Sequence, residues 1–543
     1  MTSSFAAPPA PALASPAAAA APAGAPELPL QPEVRSYRGV AHLQLTAAIN
    51  PATKLPAFYF AGRPIPPTIR VHPGDTLVVD YINGMSTAAG PPLDMTNLHT
   101  HGLLDSPKPP GDDVLMTMVM PGQGWRYVYA IPRDEAPGVY WYHPHPHGAS
   151  NFQVAAGMSG MIVVEGIETY APIVRGLAER DIILRDYYFD PSTAPLSRAR
   201  QRAVMHEVAR ERALNPTLDV KTAIRTASVN AAALPPAAPD CNPADASKGV
   251  TINGLPAATI TMRPNSRQFF RILNASANSF FDLKIPGTRF LVVAKDGVPL
   301  SFHDRSVQGQ WVDHVLMPPA ARIEAVVAAP AQTGTAFQSL CIDYGPDGDT
   351  DPPRTLGTIA LGPEPALPHM NFSAAPPVAE PFGNIHNAPI VARRVVNFSE
   401  DNPDSKFYIN GKMFDPTVPP MFVVRAGTVE EWTVANYANE LHAFHIHQIH
   451  FLVEDVNGVR QPDTTWLDTV TVPYATHVGG VTKPGVVHLL MDFRDPVIVG
   501  TFVFHCHILE HEDYGMMAEI QVVGPAPAVP NTRGFHQGNL NVK

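Results

Sequence analysis

Cysteine is scarce in this 543-residue chain: three residues, Cys241, Cys341 and Cys506. That is too few for a disulfide framework to hold a protein of this size. Charged residues are also sparse, at 16%, against about 25% in an average soluble protein. The net charge of −11 argues against nucleic acid as a partner. No continuous apolar run reaches the about 18 residues of a membrane helix, so no membrane span is expected. Residues 1–30 are dominated by alanine and proline, with no basic segment ahead of an unbroken apolar run. They read as a disordered leader and not as a signal peptide. A Ser or Cys nucleophile motif is missing too, which disfavours hydrolase chemistry.

What is abundant is proline, at 60 residues, and histidine, at 22. Proline at that level disfavours long helices and suits short strands joined by turns. The length allows about three to four domains. An internal repeat indicates three. Pro73-Gly74, Pro264-Asn265 and Ala426-Gly427 each open a run of alternating apolar residues that ends at Asn83, Asn274 and Asn436. Period-2 alternation after a tight turn is the pattern of a half-buried strand. A second pattern, Gly138-Val139-Tyr140-Trp141-Tyr142-His143, returns as Gly500-Thr501-Phe502-Val503-Phe504-His505. Near Gly334-Thr335-Ala336-Phe337 it is degraded and has no histidine. Thr251-Ile252-Asn253-Gly254 likewise matches Tyr408-Ile409-Asn410-Gly411. Three β-sandwich domains are expected over 36–170, 171–370 and 371–525, after a leader at 1–35 and before a tail at 526–543. One segment breaks the β pattern. Residues 196–233, rich in Ala, Arg and Leu, predict a helical insertion in the middle domain.

Ten of the 22 histidines fall in four short groups. They are His99-Thr100-His101, His143-Pro144-His145, His442-Ala443-Phe444-His445-Ile446-His447, and His505-Cys506-His507 followed by His511 and Met516. In a strand, residues i and i+2 share a face, so each His-X-His aims two imidazoles one way. Two pairs come from the first domain and two from the last. If the domains meet, eight imidazoles converge. That is too many for one zinc ion and suits several coppers. Cys506 points opposite to its flanking histidines. With His442, His511 and an axial Met516 it makes the ligand set of a blue-copper electron-transfer site. The bonded path from Cys506 then leads through one residue on either side into the histidine cluster.

These four motifs, in this order over residues 99–516, resemble those of the three-domain multicopper oxidases, the laccase-like family. HCHILEHEDYGMM and WYHPHPHGASNFQVAAGMSG look most like bacterial members. The resemblance implies an all-β chain of three consecutive cupredoxin-like Greek-key sandwiches, with the middle one bare of copper ligands. It implies four copper ions. His442, Cys506, His511 and Met516 would hold the type 1 ion. His99 and His445 would hold type 2, and His101, His143, His145, His447, His505 and His507 the type 3 pair. A small reducing substrate would give up electrons at type 1, and dioxygen would become water at the other three. Glu512 and Asp112 match the family's acidic proton relays, with Asp113 as the adjacent rival to Asp112. The third motif departs from the family's frequent HPFHLHGH, and Ala443 and Gln448 are expected at the rim of the type 1 site. Met116, Met118 and Met120 read as core residues of one strand-like run. His147 and His450 lie beside the motifs but exceed the ligand count, and His303 and His477 belong to none.

The leading expectation is a laccase-like oxidase of phenols and aromatic amines. A cuprous-ion oxidase acting in copper tolerance is the alternative, and a non-catalytic cupredoxin scaffold is the remote one. A two-domain nitrite reductase is disfavoured by the third domain. The family's usual location implies a periplasmic or secreted protein. The oligomeric state and any pairing of Cys241 with Cys341 stay open.

Overall fold

The structure is a computed structural model and describes residues 24–86, 90–188, 241, 248–370, 382–401, 406–478, 480–524 and 538–540. It is built from three pairs of packed sheets. In the first pair, one sheet runs Glu33–Arg35, Thr68–Val71, Gly160–Val164, Gly138–His143, His99–His101. Its partner runs Pro56–Tyr59, Val40–Ile49, Thr76–Asn83, Gly124–Ala130, Gly538–Leu540. The second and third pairs each combine a seven-stranded and a five-stranded sheet in matching order. Each pair closes over one of the three largest apolar clusters, around Tyr81 and Phe58, around Phe270 and Phe337, and around Trp432 and Phe504. A buried Phe, Val or Ile in such a cluster contributes about 1.5–3 kcal/mol.

The repeated asparagine has a physical cause. Asn83, Asn274 and Asn436 end equivalent strands and are wholly buried. Each accepts a hydrogen bond at Oδ1 from the backbone N–H two residues on: Met85, Ser276 and Ala438. Each donates through Nδ2 to carbonyls of loops entering the opposite sheet: Asp94 and Val119, Ser279 and Met317, Glu440 and Pro473. One amide thus satisfies at least three backbone groups, and it does so once per sandwich; Asn274 also reaches Pro318 O.

Equivalent sheet positions also explain why the middle unit carries no histidine pair. The strands His99–His101 and His442–Ile446 correspond in sheet order to Phe281–Lys284, where Phe281 and Leu283 join the apolar core. Gly138–His143 and Gly500–Cys506 correspond to Thr335–Ser339.

Several expectations need adjustment. Residues 24–35, assigned to the leader, are in fact placed. Leu28 N–H donates to Thr259 O at 2.7 Å, and Glu33–Arg35 adds a parallel strand to Thr68–Val71. Part of the C-terminal tail, Gly538–Leu540, pairs with Gly124–Ala130. The methionine run is no strand. A turn at residues 114–116, whose Met116 N–H donates to Asp113 Oδ1, leaves Met116 83% exposed and Met118 and Met120 half-buried. None of the three is core. The helical insertion predicted over 196–233 lies outside the described residues. Cys241 and Cys341 form a disulfide, and Cys506 is free and buried. No helix among the described residues is long and apolar enough to cross a membrane.

Candidate metal centre

Two strand pairs deliver the histidines. His99–His101 runs antiparallel to Gly138–His143, so His99 faces His143 and His101 faces Trp141. In the third unit His445 faces His505, and Phe444 faces Cys506. The two pairs come together across the interface between the first and third units. The rings of His99 and His447 stack with centroids 3.9 Å apart, and those of His101 and His445 at 3.8 Å. His505 Nε2 lies 3.3 Å from Nε2 of both His145 and His447. His507 packs against His101 at 4.9 Å, and Trp141 covers His143 at 4.2 Å. All eight imidazoles expected at one cluster are therefore in one buried place.

Their hydrogen bonds fix which nitrogen is available. His99 Nδ1 lies 2.8 Å from Asp112 Oδ2, His143 Nδ1 3.0 Å from Pro144 O, and His445 Nδ1 2.8 Å from Asp468 O. The Nε2 atoms of His99, His101, His143 and His445 are left buried without a hydrogen-bond partner. A dry, unpartnered imidazole nitrogen is costly unless a metal takes it. Burial, reinforced by neighbouring histidines, pushes His99, His101, His145, His447, His505 and His507 well below the usual imidazole pKa. Burial lowers His143 and His445 to about 3. Neutral imidazole is the form that binds metals.

The second candidate site lies in the core of the third sandwich. Cys506 Sγ is 3.5 Å from His442 Nδ1 and 3.8 Å from His511 Nδ1, and the two histidine nitrogens are 3.1 Å apart. Met516 is fully buried in the same cluster, and its carbonyl accepts from Cys506 N–H at 3.0 Å. Burial raises the thiol to about 12, so it becomes a thiolate here only by binding a cation. Phe407 stacks on His511 at 4.0 Å, and Glu440 Oε1 lies 2.9 Å from His511 Nε2. A soft thiolate with two imidazoles and a thioether is a donor set that fits copper.

The two expected acids are both at the cluster. Asp112 joins His99 and also accepts from Thr100 N–H at 3.0 Å. Asp113 instead holds a local turn through Met116 N–H and Thr117 Oγ1. Glu512 Oε2 lies 3.2 Å from His505 Nδ1 and 3.6 Å from His145 Nε2. Burial drives both carboxyls well above the usual carboxylate range, helped by Asp105 for Asp112 and by Asp513 for Glu512. Gln448 is not at the rim of the cysteine site. With φ near +60° it turns inward, and its Nε2 donates to Asp112 Oδ2 at 2.6 Å. Of the extra histidines, His147 packs on Phe414 and His450 lies 2.7 Å from Asp296 O. His303 leans over Trp466 with ring centroids 4.3 Å apart and planes tilted by 30°, and His477 meets Asn439.

Sequence reasoning missed Asp105, Asp468, Arg322 and Glu440. Arg322 donates to both oxygens of Asp468, whose Oδ2 lies 3.4 Å from His101 Nδ1. Burial works against the Asp468 carboxylate, but the charge and hydrogen bonds of Arg322 outweigh it and hold its pKa below the usual range. The available signal was charge placed in mainly apolar sequence, Arg322 and Glu324 in ARIEAVVA and Asp468 in WLDTVTV.

Comparison with known proteins identifies the family. Family models described as multicopper oxidase match residues 44–169, 221–357 and 388–525. A multicopper oxidase of Staphylococcus haemolyticus is 24% identical over 473 residues, covering 85% of this chain and 83% of the relative. The laccase of Bacillus subtilis is 22% identical over 502 residues, covering 84% and 88%. Among solved structures, a metallo-oxidase from Campylobacter jejuni superimposes with a TM-score of 0.65 at 22% identity, covering 94% of this chain and 98% of that one. That family binds copper at sites of three types. The family models span well over half of the sequence, and this chain belongs to the multicopper oxidases.

Proposed function

We propose that this oxidoreductase takes single electrons from phenols or aromatic amines at His442, Cys506, His511 and Met516. It passes them to dioxygen at the eight-histidine cluster. One observation carries the reading: Cys506 sits 3.5 Å from His442 Nδ1 while its two chain neighbours, His505 and His507, belong to the cluster. His99 and His445 are assigned to the type 2 ion and the remaining six to the type 3 pair. Bound copper supplies one-electron redox chemistry at the first site and dioxygen reduction at the second.

The chain's residues supply the rest. His511, whose side chain is 9% exposed, is the edge a substrate meets. An outer-sphere donor needs only contact there, which suits a broad substrate range. Glu440, 2.9 Å from His511 Nε2, accepts the proton a phenol sheds on oxidation. Glu512 and Asp112 hold protons beside His505 and His99, where water formation consumes them. The domain limits near 170 and 370 remain our assignment. The Cys241–Cys341 disulfide favours an oxidising compartment, so we place the protein outside the cytoplasm.

The test is metal analysis with a visible spectrum, followed by oxygen uptake. Expected are about four coppers per chain, an intense blue band, and oxygen consumption with a diphenol. A blue, fully loaded protein that oxidises neither diphenol nor aromatic amine overturns the substrate assignment.

A second reading, a metal-ion oxidase, is favoured by one feature. Ligand atoms of Glu400, Glu440 and His442 lie within 4.8 Å of one another beside the cysteine site. Carboxylates there suit a cationic reductant. Faster turnover on cuprous ion than on a diphenol selects it.

A further inference from the structure

The middle unit supplies none of the twelve candidate ligands, yet Arg322, at the start of its strand Arg322–Ala328, reaches the edge of the histidine cluster at His101. Arg322 is completely buried. Its Nη1 and Nη2 donate to Asp468 Oδ1 and Oδ2 at 2.7 and 2.6 Å, a two-pronged grip that fixes the carboxylate plane. Its Nε donates to Val139 O at 3.0 Å, on the strand that carries His143. Nη2 also donates to Asp296 O at 2.8 Å, and Nη1 lies 3.3 Å from His101 Nδ1. Two residues along, Glu324 Oε2 accepts from Val139 N–H at 3.1 Å. Both backbone groups of Val139 are thus held by the middle unit.

Asp468 passes this order on to two rings from different units. Its Oδ2 is 3.4 Å from His101 Nδ1, and its backbone oxygen meets His445 Nδ1 at 2.8 Å. Thr469 Oγ1 donates to Oδ1 at 3.0 Å, which closes the remaining freedom of the side chain. The space is full. Gly102 has φ +91°, and a Cβ there would lie 2.4 Å from Arg322 Nη2 and 2.5 Å from Asp468 Oδ2. Only glycine lets the chain leave His101 so close to this pair.

We propose that Arg322 is a positioning residue for the eight-histidine site: by holding Asp468 in one orientation, the ligand-free middle domain sets the rings of His101 and His445. The inference rests on the assignment of these histidines to copper, given above. It makes the middle domain part of the site instead of a spacer. A lysine cannot replace the arginine, because a point charge cannot engage both oxygens of Asp468 while also reaching Val139.

The test uses the full-length copper-loaded protein, Arg322→Gln, Arg322→Lys and Asp468→Asn. The readouts are copper content after graded chelator, the electron paramagnetic resonance signal of the type 2 ion, and the blue absorption. Loss of a partner that orients a ligating histidine weakens metal retention by about 10–100-fold. Arg322→Gln is expected to keep the blue absorption, since the Cys506 site shares no contact with Arg322. It should release copper from the histidine cluster about 10–100-fold more readily, with an altered type 2 signal. Arg322→Lys should show the same loss in milder form. A folded Arg322→Gln with wild-type retention and an unchanged type 2 signal overturns the proposal. If that variant does not fold, Arg322→Lys and Asp468→Asn decide in the same way: unchanged retention overturns it, and selective loss with the blue band intact supports it. A wild-type protein that binds copper only at the blue site would instead overturn the ligand assignment, a result read before any variant is made.

Discussion

His99 of the first unit and His447 of the third lie face to face, with ring centroids 3.9 Å apart and planes 13° from parallel. Each is one member of a His-X-His pair. His101 and His445 repeat the arrangement at 3.8 Å. Neither sandwich holds the complete histidine cluster alone, so the copper site proposed there requires the two units to stay docked. Metal binding and interdomain packing therefore support each other.

The cysteine site gives a clear first prediction. Cys506→Ser replaces a wholly buried thiol with a hydroxyl of similar size. The expected result is loss of the blue band with the circular dichroism spectrum retained. The stability cost is about 1–3 kcal/mol, that of a buried hydroxyl short of partners. A variant that stays blue shows that another residue supplies the thiolate-like ligand.

The repeated asparagines separate local from global effects. Asn436→Ala strands three buried backbone groups, at Ala438, Glu440 and Pro473. Asn274→Ala does the same to four, at Ser276, Ser279, Met317 and Pro318. Each should cost roughly 3 kcal/mol, seen as a lower unfolding midpoint. Only Asn436→Ala should shift the blue band, because its loop leads directly into Glu440, Leu441 and His442. Equal spectral shifts in the two variants would refute the local argument.

The histidine pairs were legible because strand geometry puts i and i+2 on one face, so ligand sets are written locally. The three-unit fold was legible through Asn83, Asn274 and Asn436, since each ends the same turn-and-strand pattern and caps its own strand end through the N–H two residues on. The pairing of Arg322 with Asp468 was hidden: each is a charge in mainly apolar sequence, but they meet across 146 positions. Gln448 was misplaced because its left-handed backbone turns the side chain inward. The methionines at 116–120 alternate like a strand, but the Asp113 cap makes a turn.

The disulfide yields a third prediction. Cys241 and Cys341 are 100 positions apart, so the bridge closes a long loop. The chain-entropy account gives about 4.7 kcal/mol for a loop of that size. Cys341→Ser should lower the unfolding midpoint markedly while leaving the blue absorption in place. If reductant lowers the wild-type midpoint by less than 1–2 °C, the bridge contributes little.

The last prediction concerns Glu135, a buried acid outside the metal sites. Burial raises its pKa from 4.5 to about 8, against the opposing hydrogen bonds from Leu104 N–H and Tyr140. Folding therefore favours the protonated acid. The sign follows from linkage: between pH 4.5 and 8 the folded chain binds a proton that the unfolded chain has released. This contribution is fully present below pH 4.5 and is lost as pH rises through about 8. Glu135→Gln resembles the neutral acid at every pH. The midpoint difference, variant minus wild type, should thus climb from pH 4.5 to 8 and level off above. Taking the difference cancels the other titrating groups, including the many buried histidines, which act in the opposite direction. A difference that is flat across this range would mean that Glu135 is ionised in the folded protein.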